Sequence, residues 1–74
     1  MTNTITVYSK PDCPQCVQTK RILEREGHVF NEVDVTEDAA ALARVKELGY
    51  LQAPVVETGD DHWSGFRPDK ILAL

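Results

Sequence analysis

Two cysteines three positions apart, in Cys13-Pro14-Gln15-Cys16, have the type and spacing that suit covalent chemistry. A thiolate attacks a disulfide sulfur, a mixed disulfide forms, and a second thiol displaces the reduced product. On a helix, residues i and i+3 share one face, so the two sulfurs reach bonding distance without unwinding the chain. Cys13 falls near a helix N-cap, where orphan N–H groups and the positive end of the dipole stabilise a thiolate. Pro14 suits the first helical position, where its missing N–H costs nothing. Cys16 falls one turn deeper, on a stripe with Thr19 and Leu23. The expectation is an exposed nucleophile, Cys13, and a shielded resolver, Cys16. Lys10 favours the thiolate and Asp12 opposes it, a balance that spacing alone does not fix.

Two blander uses of the pair fit less well. A structural staple closing so short a loop removes only about 2 kcal/mol of unfolded-state entropy, and a cytosolic chain would keep it mostly reduced. A zinc site wants four ligands, and the spacing of His28 and His62 from the cysteines matches no finger or ribbon, so no metal is expected. A C-x-x-C beside a βαβ pattern is instead a thioredoxin-like redox signal.

The elements that position the pair are legible from patterning. Thr4-Ile5-Thr6-Val7-Tyr8 alternates with β-branched and aromatic residues, and Ser9-Lys10-Pro11-Asp12 stops it: a first strand. Pro14 to Glu26 reads as a helix, with Gly27 as its C′ residue. Val29, Asn31, Val33 and Val35 alternate as a second strand. Thr36 is the expected N-cap of a second helix, with Glu37 and Asp38 in its first turn and an apolar stripe of Leu42, Val45 and Leu48 ended by Gly49. Val55-Val56-Glu57 and His62-Trp63 flank the turn signal Thr58-Gly59-Asp60-Asp61, giving a hairpin. Pro68 opens a last short helix through Ile71 and Leu72. The order β-α-β-α-β-β-α predicts an α/β fold in which the first two strands are parallel and the hairpin adds antiparallel strands. The result is a four-stranded mixed sheet with helices on both faces.

Composition bounds the possibilities. At 74 residues, with no repeat or linker, residues 1–74 read as one small domain, of the size that buries only about 60% of its unfolded surface. Twelve acidic against eight basic residues give a net charge of −4, which argues against nucleic-acid binding, since that rests on clustered Lys and Arg. No apolar run approaches the ~18 residues of a membrane span, and Met1-Thr2-Asn3-Thr4 lacks the n- and h-regions of a signal peptide. A cytoplasmic protein is expected.

Tyr8-Ser9-Lys10-Pro11-Asp12-Cys13-Pro14-Gln15-Cys16 resembles the active-site segment of glutaredoxins, and Ala53-Pro54-Val55 matches the proline that thioredoxin-fold proteins hold cis beside the redox pair. The segments Gly49-Tyr50-Leu51-Gln52-Ala53-Pro54-Val55-Val56 and His62-Trp63-Ser64-Gly65-Phe66-Arg67-Pro68-Asp69 resemble the NrdH-redoxin subfamily. Generic glutaredoxins carry a Gly-Gly glutathione-binding stretch where this chain has Trp63-Ser64-Gly65-Phe66-Arg67-Pro68. One departure is Pro14-Gln15, which leans toward the glutaredoxin dipeptide where NrdH-redoxins often have Val-Gln.

The resemblance implies a thioredoxin/glutaredoxin-like fold and a thiol–disulfide oxidoreductase with no bound cofactor. It also implies an electron carrier from NADPH and thioredoxin reductase to the large subunit of class Ib ribonucleotide reductase. The rival is a glutathione-dependent glutaredoxin, whose groove needs a cationic, Gly-rich lining. Around Cys13 and Cys16 the implied partner-binding residues are Lys10, Pro14, Gln15, Ala53, Pro54, Trp63, Ser64, Gly65, Phe66 and Arg67. A cis Ala53–Pro54 bond would present a backbone edge on which a substrate peptide pairs as an added strand. Trp63 and Phe66 each read equally as core or as contact. Arg67 is either a solvated charge or a donor that fixes its loop, and the resemblance favours the donor. Asp69 reads as neutralising the last helix's N-terminus. Nothing in the pattern demands a dimer.

Overall fold

The computed structural model describes residues 4–74, so the signal-peptide reading of residues 1–3 lies outside it. The expected element order is observed: β1 (Thr6–Ser9), α1 (Pro14–Arg25), β2 (Asn31–Asp34), α2 (Ala39–Glu47), β3 (Val55–Glu57), β4 (His62–Ser64) and α3 (Pro68–Leu72). The four strands form one sheet in the order β2-β1-β3-β4. β1 and β2 are parallel, with Tyr8 opposite Val33. β3 lies antiparallel to β1 and to β4. This is the mixed sheet of the thioredoxin/glutaredoxin fold.

Strand alternation sends neighbouring residues to opposite faces. Val7 and Val56 join Ile5, Leu23 of α1, Trp63 and Ile71 of α3 in one core cluster. Tyr8 and Val55 join Ala41 and Val45 of α2 in the other. Helices therefore cover both faces, and β1 is held between them.

The boundaries of β2 and α2 differ from the sequence reading. β2 begins at Asn31 rather than Val29, which is 89% exposed. As an edge strand β2 pairs only with β1, and that register starts at Thr6 opposite Asn31. Helix α2 is capped by Asp38, whose Oδ1 accepts the Ala41 N–H at 3.0 Å, and not by Thr36. Thr36 is occupied elsewhere: its N–H and hydroxyl both donate to Asp34 Oδ1, at 2.8 and 2.6 Å, closing the turn that ends β2. Asp38 thereby leaves the first turn for the cap itself. The buried residues of α2 are Ala41 and Val45, with Leu42 exposed at the stripe's edge.

The hairpin is as expected. Its turn is closed by the Thr58 N–H donating to the Asp61 carbonyl at 2.8 Å and the Asp61 N–H returning to Thr58 Oγ1 at 3.1 Å.

Candidate functional site

The chain leaves β1 at Ser9 and reaches α1 through Lys10–Asp12, and the last of these takes a left-handed backbone, φ 56°. A non-glycine residue rarely adopts that conformation, and Asp is among the few that tolerate it. The bend turns the chain so that Cys13 becomes the N-cap of α1 and Pro14 its first helical residue. The Cys13 sulfur occupies the position that a Ser or Asp oxygen takes in an ordinary cap. It accepts the backbone N–H of Cys16 at 3.1 Å.

Cys13 and Cys16 are joined as a disulfide, with Cα atoms 5.2 Å apart. Cys13 is 8% exposed and Cys16 2%. The order of exposure matches the expectation, but Cys13 is itself buried rather than the exposed nucleophile that the spacing suggests. Below Cys16 on the same face of α1 lie Thr19 and Leu23, both fully buried.

One loop meets the cysteine turn, and a second is tied to that loop. Gln15, exposed between the cysteines, accepts the Phe66 N–H through its side-chain oxygen at 3.2 Å. Gly65 has φ 85°, a left-handed backbone that favours glycine, while a Cβ there would meet that oxygen only in ordinary contact at 3.6 Å. The Gly65 N–H donates to the Pro54 carbonyl at 2.8 Å, and the Ser64 hydroxyl donates to the Gln52 carbonyl at 3.3 Å. The Ala53–Pro54 bond is cis, as expected. Gln15 is thus tied to the Ser64–Phe66 loop, which is tied in turn to Gln52 and Pro54, with Pro14 exposed at the helix start.

The remaining predicted residues divide. Trp63 is 4% exposed and packs in the core with Leu23 and Ile71. Of its two readings, burial selects core, because β4 points it to the α1/α3 face. Phe66 is half-buried. Lys10 is exposed, and its side chain has no hydrogen-bond or ion-pair partner among the described residues. With Tyr8, Tyr50, Leu51 and Ala53 it lines a shallow apolar cavity of about 130 Å³. Arg67 donates through Nε and Nη2 to the two carboxylate oxygens of Asp69, at 3.1 and 2.9 Å. This fork holds the Asp69 carboxyl below the usual carboxylate range. Among the described residues no group of three His, Cys, Asp or Glu side chains gathers to hold a metal.

Sequence reasoning missed the left-handed Asp12. It also missed the tie between Tyr50 and β4, in which the Tyr50 hydroxyl meets His62 Nδ1 at 2.8 Å and holds the loop before Ala53 against the sheet. The polar residue pairs that make these contacts carry no periodic signal.

The glutaredoxin family profile matches residues 5–63. The chain is 45% identical over 70 residues to the glutaredoxin-like protein NrdH of Escherichia coli K12, covering 95% of this chain and 86% of that one. It is 39% identical to the NrdH protein of Lactococcus lactis subsp. cremoris, covering 95% and 97%. The structure of NrdH-redoxin from Escherichia coli superposes with a TM-score of 0.92 at 44% identity, covering 96% of this chain and 93% of the other. With its disulfide pair at the start of α1, the chain belongs to the glutaredoxin family, among the NrdH-type proteins, and is a thiol–disulfide oxidoreductase.

Proposed function

We propose that this protein is a dithiol electron carrier of the cytoplasm, reduced by NADPH through thioredoxin reductase and oxidised by the large subunit of class Ib ribonucleotide reductase. In each delivery the Cys13 thiolate attacks the partner's disulfide and releases one partner thiolate, leaving a mixed disulfide. Cys16 then attacks Cys13, the second partner sulfur leaves, and the pair ends as the disulfide. Two electrons pass to the partner, which takes up two protons. The reductase then returns two electrons and two protons to the pair.

The observation that carries the reading over a glutathione-dependent one is the Arg67–Asp69 fork. Glutathione presents two carboxylates and wants free cations, yet Asp69 already takes the Nε/Nη2 edge of the arginine beside Phe66 and offsets its charge. The thioredoxin-like activity profile of the Escherichia coli NrdH-redoxin supports the same choice. In this reading Pro14, Gln15, Ala53, Pro54, Ser64, Gly65 and Phe66 form the rim a partner meets, Lys10 attends its approach, and the chain acts as a single unit.

The test supplies the oxidised protein with NADPH and thioredoxin reductase, or with glutathione and glutathione reductase, and follows reduction of a protein disulfide. Faster turnover with the first couple is expected. Faster turnover with glutathione overturns the proposal in favour of a glutaredoxin.

A further inference from the structure

We infer that Thr19 is a positioning residue for Cys16, its hydroxyl unpartnered while the disulfide is closed and bonded to the Cys16 sulfur once the pair is reduced. Thr19 is fully buried, and its Oγ1 has no hydrogen-bond partner among the described residues. Leaving a buried hydroxyl unpaired costs stability, and valine would fill the same volume without that cost. Nor does the hydroxyl bond back to the carbonyl of Gln15 four residues before, the usual refuge of a threonine inside a helix.

Its surroundings suggest the use. Thr19 follows Cys16 by three residues on the buried face of α1, and helical side chains lean toward the N-terminus, so Thr19 covers the turn that carries Cys16. In the closed disulfide the Cys16 sulfur is a weak acceptor with no proton to give. Reduction breaks the S–S bond and turns it into a thiol or thiolate, which accepts a hydroxyl proton or donates its own. The hydroxyl keeps its proton throughout and gains a partner. The reduced state thereby gains a hydrogen bond that the oxidised state lacks, and Thr19 biases the pair toward the dithiol.

The inference rests on the dithiol reading of the site, but its test uses no reductase and so fails separately from that reading. The oxidised protein is equilibrated with glutathione: disulfide plus two glutathione gives dithiol plus glutathione disulfide. Removing one buried hydrogen bond from the reduced side in Thr19→Val is expected to move the equilibrium constant about fivefold toward the protein disulfide. Thr19→Ser, which keeps the hydroxyl, is expected to stay at the wild-type position. The oxidised Thr19→Val protein is expected to melt no lower than the parent. If Thr19→Val packs poorly, Thr19→Ala also lacks the hydroxyl and must move the equilibrium in the same direction. An unchanged constant, or a shift toward the dithiol, overturns the inference.

Discussion

The backbone N–H of Cys16 donates to the Cys13 sulfur across 3.1 Å, so the helix N-terminus caps itself on the sulfur proposed as the nucleophile. That amide is already aimed when the S–S bond opens, and the charge that develops on Cys13 meets a fixed donor rather than reorganising solvent. In the reduced protein, alkylation is therefore expected to reach Cys13 before Cys16, as followed by intact mass and peptide mapping over time. Cys13→Ser is expected to bring disulfide reduction to background. Cys16→Ser should retain the attacking thiol and accumulate a mixed disulfide with the substrate. Equal trapping by both variants would overturn the division of roles.

Gln15 ties the cysteine turn to the loop before α3 through the Phe66 N–H. Both groups sit near solvent, so Gln15→Ala is expected to cost only about 0.5–1 kcal/mol of stability. The larger expected effect is on recognition. Reduction of a protein disulfide should slow several-fold as the Ser64–Phe66 loop loses its anchor, while reduction of a small aromatic disulfide holds its rate. Parallel kinetics with the two substrates check this.

Asp12 holds φ 56° immediately before the nucleophile. Asp12→Gly and Asp12→Asn are expected to leave thermal stability almost unchanged. A β-branched side chain in that conformation costs about 1–2 kcal/mol, so Asp12→Val should lower the melting temperature and loosen the Cys13 cap. Comparison of the three melting curves decides it.

How far the sequence reads depends on what enforces each feature. Period-two alternation in Thr6–Tyr8 and the i, i+3 spacing of Cys16 and Thr19 are set by backbone geometry, so β1 and the buried face of α1 are legible in the sequence. The N-cap of α2 is not. Thr36 and Asp38 are both good caps, and the choice falls to Asp38 because Asp34 already holds Thr36 from the end of β2. Trp63 could be either core or contact until the register of β4 against β3 assigned its face. Arg67 reads from sequence as either a solvated charge or, as the resemblance favours, a donor that fixes its loop, and in the structure it donates to Asp69, two residues along. The bonds that Tyr8 and Arg44 donate to Glu57 are not legible in the sequence, because they join residues 49 and 13 positions apart.

Ile71 of α3 is fully buried against Leu23, Val56 and Trp63. Truncating such a side chain leaves a cavity and costs about 2–5 kcal/mol. A domain this small has a stability near the lower end of the usual 5–15 kcal/mol. Ile71→Ala is therefore expected to leave a measurable unfolded fraction at ambient temperature, detected by urea titration, while the folded molecules turn over normally. Ile71→Val should be far milder.

Glu57 accepts from the Tyr8 hydroxyl at 2.9 Å and from the Arg44 guanidinium, binding β1, β3 and α2 together. The Arg44 hydrogen bonds hold the Glu57 carboxyl below its ordinary value of 4.5, outweighing the opposing effect of burial. Glu32 is lowered likewise, chiefly by its hydrogen bond from Lys20, though that pair lies more in solvent and contributes less. A carboxylate whose folded value is depressed adds stability that is fully present above its unfolded value and is lost as pH falls through the folded one. Unfolding free energy is therefore expected to decline as pH drops below about 4.5. Glu57→Gln should flatten that decline and lower the neutral plateau. Tyr8 has the opposite sign: burial first, then the hydrogen bond to Glu57, raises its hydroxyl above 10.0. Its contribution is intact below pH 10 and fades as pH rises through the raised value, so Tyr8→Phe should remove an alkaline loss of stability. Urea titrations of the parent and both variants across the acid and alkaline limbs check the two signs independently, and a parent curve flat on both limbs would show that the network carries no pH-linked stability.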